Sequence, residues 1–122
     1  MYIFTASLVF IIALEHFAIM GLEMLGSDAL LAKSFDISVD EVKRPVLRTA
    51  LANQGMYNGF VALALFLAIF IPTGVIMKVM VAYFLTCIVI LAAYGAITVS
   101  KKIFIFQGLP AMITLLLSLF FL

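Results

Sequence analysis

Residues 75–99 read VIMKVMVAYFLTCIVILAAYGAITV, an unbroken apolar run with a single charge, Lys78. A hydrocarbon core about 30 Å thick is crossed by ~20 helical residues rising ~1.5 Å each. Inside lipid such a segment must be helical, because an unpaired backbone amide there costs several kcal/mol. The run is therefore read as a membrane span. Lys101-Lys102 closes it on one side, and Pro72-Thr73-Gly74 on the other is a turn signal. Outward from it, a second span runs from about Pro45 to Ile71, a first from about Tyr2 to Leu25, and a fourth from Ile103 to Leu122. The expected fold class is all-α: an integral membrane four-helix bundle, antiparallel and up-down, forming one domain over residues 1–122.

Composition leads to the same class. Apolar residues make up 67% of the chain and charged residues 11%, against roughly half and a quarter in an ordinary soluble domain. A chain of 122 residues has too little interior to hide that surface from water. The formal net charge of +1 excludes nothing and implies no nucleic-acid partner. Cys87 is the single cysteine, so no intrachain disulfide forms, and in its apolar setting it reads as an inert thiol. The first apolar run lacks a basic leading region and carries Glu15 and His16 in its middle, so it reads as a retained helix rather than a cleaved signal.

The one soluble segment spans Ser27 to Arg44. Ser38 followed by Glu41 has capping-box spacing and predicts a short surface helix starting near Val39. Pro45 suits the first turn of the next span, where its missing N–H leaves nothing unpaired. Lys33, Lys43, Arg44, Arg48, Lys101 and Lys102 all fall on one side of this topology, and only Lys78 falls on the other. The positive-inside bias predicts a cell (inner) membrane protein with its first and third loops in the cytoplasm and both termini outside.

Ionisable groups within a span are costly enough to be functional candidates. Glu15, His16 and Glu23 are all in the first helix, and at ~100° per residue they share one broad face. Counted by rise from the cytoplasmic ends, Glu23, Asn53, Gln54, Tyr94, Thr98 and Gln107 form an upper polar layer. Glu15, His16, Tyr57 and Asn58 form a deeper one. The arrangement predicts a polar pocket entered from the cytoplasm or the inner leaflet. Asn and Gln in membrane helices also serve simply to bond neighbouring helices. Gly55 and Gly59 make a G-x-x-x-G step that predicts close helix packing, within the bundle or between subunits.

The stretches EHFAIMGLEM (15–24), NQGMYNGF (53–60) and FQGLPA (106–111) together resemble the small bacterial membrane family catalogued as domain of unknown function 1304. The resemblance covers essentially the whole chain and implies four spans. It places His16, Glu23, Asn53, Gln54, Gly55, Tyr57, Asn58, Gly59, Gln107 and Pro110 at signature positions. Leu25 and Gly26 stand where the family pattern would bring an aromatic shortly after LEM. The resemblance implies a fold and not an activity. A fainter likeness, to the four-helix membrane proteins of eicosanoid and glutathione metabolism, would give Arg48 and Asn53 roles in the second helix. Against it, Met56 stands where a carboxylate should follow Asn53, and the arginine cluster is missing.

Two readings of function stay open. In one, the protein binds or moves a small molecule or lipid at Glu15, His16, Glu23, Asn53, Gln54, Tyr57, Asn58, Tyr94 and Gln107, with proton coupling through groups that titrate. Because one such bundle encloses little volume, this reading expects a homo-oligomer. In the other, it is a membrane enzyme acting on a lipid-soluble substrate with a Glu/His acid–base pair. One histidine with carboxylates specifies a transition metal poorly, so no metal site is assigned. Phosphate loops, zinc-finger spacings and nucleic-acid signatures are absent, and no cofactor is named.

Overall fold

A computed structural model describes residues 1–122. Four helices are long and apolar enough to cross a membrane: α1 (Tyr2–Leu25), α4 (Pro45–Phe70), α5 (Gly74–Thr98) and α6 (Lys101–Phe121). Two short helices, α2 (Asp28–Phe35) and α3 (Val39–Val42), fill the connection between α1 and α4. The protein is a multi-pass membrane bundle with no strand. The long helices run up, down, up and down, the first pair joined through the α2–α3 segment and the others by short turns. Each packs on two others in the ring α1–α4–α5–α6, and the α1–α4 contact is the most extensive.

Two apolar clusters hold the bundle. The larger draws Val9, Ile12 and Ala13 from α1, Leu65 and Ala68 from α4, Met77, Val81, Leu85 and Ile88 from α5, and Ala111 from α6. The smaller joins Leu31, Ala32, Val42 and Leu51, with Leu22, Phe35, Ile37 and Leu47 packed around them. It seats α2 and α3 as a cap over one end of α1 and α4. Along α1, Glu15, His16 and Glu23 lie in the belt between the two clusters.

The cap contains one helix more than the capping-box spacing predicts. Ser38 does start α3, its Oγ accepting from the Glu41 amide at 3.2 Å. The Glu41 carboxylate does not complete the reciprocal half of the box and pairs instead with Arg44 at 3.1 Å. The unforeseen helix is α2, begun by Ser27, whose Oγ accepts from the Leu30 amide at 3.3 Å. Leu30 stands where a capping box would have Glu or Gln, so that signal was only half written.

Lys101 and Lys102 also prove to open the fourth helix rather than follow the third. Further along, α6 widens into a π-helical turn over Phe104–Gly108, where the Leu109 amide reaches back to the Phe104 carbonyl. Pro110 explains the widening: it has no N–H to give, and its ring would collide with the carbonyl four residues back. Between α4 and α5, Gly74 turns the chain with φ +60°, a conformation open to glycine at little cost.

Candidate functional site

Glu23 is 2% exposed and points at α4. Its Oε1 accepts from Gln54 Nε2 at 2.6 Å, and its Oε2 accepts from Asn58 Nδ2 at 2.7 Å. Gly55, between the two amides, brings α4 close enough for these bonds: a Cβ there would lie 2.8 Å from Met24 Cγ and 3.1 Å from the Met20 carbonyl oxygen. A Cβ on Gly59 would run into Met20 Sδ. The G-x-x-x-G step therefore faces α1 of the same chain.

His16 is also 2% exposed. Its Nδ1 lies 3.0 Å from the Ile12 carbonyl oxygen one turn back. A carbonyl only accepts, so Nδ1 carries the proton, and in the neutral ring Nε2 keeps its lone pair. No hydrogen bond joins His16 to Glu23 or Glu15.

Glu15 goes elsewhere. It lines a groove of about 220 Å³ between α1 and α6, roofed by α2, with Ile19, Leu22, Ser34, Ile103, Phe106 and Gln107, and with Lys102 at its edge. Glu15 is half-buried and has no hydrogen-bond or salt-bridge partner in the chain. Lys102 is committed to Asp36. The shared face expected for the three ionisable residues thus divides in two. An 80–100° step around α1 turns Glu23 to α4 and Glu15 to α6.

Other expected members lie outside. Tyr57 is 66% and Tyr94 68% exposed, on the outer faces of α4 and α5. Asn53 and Gln54 are exposed as well, Gln54 reaching inward only through its amide. The inward row of α4 is Leu51, Gly55, Gly59 and Ala62, and helical geometry leaves Asn53 and Tyr57 opposite it. Asn58, assigned by depth to the lower layer, bonds Glu23 of the upper one. No three His, Cys, Asp or Glu side chains converge to hold a metal ion.

Ser34, Lys102 and Phe106 were not singled out from sequence as members of a site. The signal for two of them lay in α6, where Lys102, Ile103, Phe106 and Gln107 follow helical spacing along one face. At the rim of the groove, Asp36 receives hydrogen bonds from Lys102 Nζ and Ser100 Oγ. These clasp the α2–α3 turn to the start of α6. The Lys102 ammonium, with the Ser100 hydroxyl, holds the Asp36 carboxyl below the usual aspartate range.

Residues 10–119 match the family described as Protein of unknown function (DUF1304). The chain is 36% identical over 123 residues to the "Uncharacterized protein YpaA" of Lactococcus lactis subsp. lactis (strain IL1403), covering 98% of this chain and 100% of that protein. No solved structure matches it. A match running through all four spans, and a relative aligned from end to end, establish that the chain belongs to the DUF1304 family.

Proposed function

We propose that the protein binds, and passes through the membrane region, a small amphiphilic molecule with an ammonium or similar hydrogen-bond-donating head. The site is the groove between α1 and α6. The observation that carries this reading is Glu15, a carboxyl at membrane depth without a partner in its own chain. Such a group is expensive unless it meets a cation, a donor or a proton. Gln107 beside it offers a second polar contact, while Ile19, Leu22, Ile103 and Phe106 suit an apolar tail. The groove is below the usual ~300–1,000 Å³ of ligand pockets, which restricts the molecule to a few heavy atoms beyond its head. With the capped end in the cytoplasm, as the basic loops favour, entry is from that side or from the inner leaflet. Proton coupling would use the same carboxyl, protonated when the head is absent.

Thermal unfolding of the purified protein in nanodiscs, titrated with butylammonium and hexylammonium, tests the reading. A ligand specific for the native state raises the midpoint saturably, by linkage worth about 2.7 kcal/mol at a hundred times Kd. The rise is expected in the parent and absent in Glu15→Gln. An equal rise in both proteins, or none in the parent, rejects the site.

A further inference from the structure

The amides that hold Glu23 leave a complementary problem on the outside of α4. Gln54 and Asn58 both direct their NH₂ groups at the carboxylate. Their carbonyl oxygens, Oε1 and Oδ1, receive no hydrogen bond in the chain. Beside them, Asn53 and Tyr57 are exposed and make no side-chain hydrogen bond. Asn53, Gln54 and Tyr57 therefore present unpaired acceptors and donors together on the exposed side of α4, with the half-buried Asn58 at its edge.

These groups lie where water is scarce. Helix α4 has 26 residues, roughly 39 Å at ~1.5 Å each, against a core of about 30 Å. With Phe70 at one boundary, the other falls near residue 50. The four positions then sit roughly 4–12 Å inside the hydrocarbon. Lipid tails satisfy neither an amide nor a phenol.

We propose that a second copy of this chain covers this face, in a parallel two-fold contact through α4. Copies inserted in the same orientation are related by an axis along the membrane normal, so each residue meets the partner helix at its own depth. An Asn53 amide both donates and accepts, and so pairs with its own counterpart. The Tyr57 hydroxyl donates to the oxygen that Gln54 or Asn58 of the other copy leaves free. Thr49 and Ala50, small and exposed one turn before Asn53, allow the backbones to approach. The contact lies away from the α1–α6 groove and does not depend on any ligand there.

The test is cross-linking in native membranes. In a Cys87→Ser background, single cysteines are placed at Ala50 and Phe60, which flank the polar set without belonging to it. A control cysteine is placed at Ile90 on the outer face of α5. A short bis-maleimide should link the α4 positions and spare Ile90. Adding Asn53→Leu with Tyr57→Phe should weaken self-association about tenfold, while leaving Glu23, Gln54 and Asn58 to hold the monomer together. Linking at Ile90 instead of α4, no linking at any site, or undiminished linking in the double variant each overturns the proposal.

Discussion

Glu23 Oε2 and Asn58 Nδ2 lie 2.7 Å apart, 35 positions apart in sequence, and join α1 to α4 across the belt between the two apolar clusters. With the Gln54 bond, both carboxylate oxygens are occupied by α4. The two-amide grip is the polar counterpart of the contact made by Gly55 and Gly59. Polar bonds and close packing thus fix the same helix pair, in a medium where the hydrophobic effect offers no attraction between helices.

Replacing Asn58 with Ala should destabilise the fold by about 0.6–1.7 kcal/mol, the range of side-chain hydrogen bonds between membrane helices. A double-mutant cycle of Asn58→Ala with Glu23→Leu, which leaves no acceptor at position 23, isolates the shared term when read by denaturation in mixed micelles. A coupling near zero would mean that the bond contributes nothing beyond packing.

The two glycines should not be equivalent. A Cβ at Gly59 would overlap Met20 Sδ, yet that atom lies near the end of a flexible side chain and can swing aside. At Gly55 the contacts are Met24 Cγ at 2.8 Å, Glu23 Cβ at 3.1 Å and the Met20 carbonyl oxygen at 3.1 Å. Two of these are fixed by the backbone of α1. Gly55→Ala is therefore expected to cost about 1–3 kcal/mol by overpacking, and Gly59→Ala less, although its nearest contact is the shorter. Thermal unfolding of both variants decides the order. Gly59→Ala melting below Gly55→Ala would contradict this account of the interface.

Sequence was most legible where lipid physics leaves few choices. Apolar runs and turn residues located four spans to within a few residues, because hydrocarbon demands length and helicity together. Partnership was harder to read. Glu15, His16 and Glu23 fall within one broad arc of α1, but α4 and α6 divide that arc between them, and depth along a helix says nothing about which neighbour it faces. Tyr57 and Tyr94 were placed inside by depth alone. The small-residue row Gly55, Gly59 and Ala62 fixes which side of α4 turns inward, and it puts Tyr57 outside. Asp36 carried no visible signal, since its partners stand in a loop and a helix start more than sixty positions away.

That Asp36 clasp carries the last prediction, and its pH dependence has a definite sign. Lys102 and Ser100 favour the ionised carboxyl and lower its pKa in the folded protein. A group so lowered contributes fully above its unfolded value, ~3.9 for aspartate, and the contribution is lost as pH falls through the folded value. The clasp should accordingly hold unchanged from neutral pH down to about 4 and release below it. Spin labels on cysteines at Asp40 and Lys101, in a Cys87→Ser background, report the separation of the cap from the start of α6. Their distance should stay constant to about pH 4 and lengthen in stronger acid. With Asp36→Asn the longer distance should already be present at neutral pH. Because the pair is exposed, high salt should move the parent in the same direction. Lys102, one half of the clasp, lines the groove with Ser34, so releasing it alters the groove's rim. Opening that begins near neutral pH in the parent, or an Asp36→Asn variant that stays closed, would show that the apolar cluster around Leu31 and Val42 holds the cap without the ion pair.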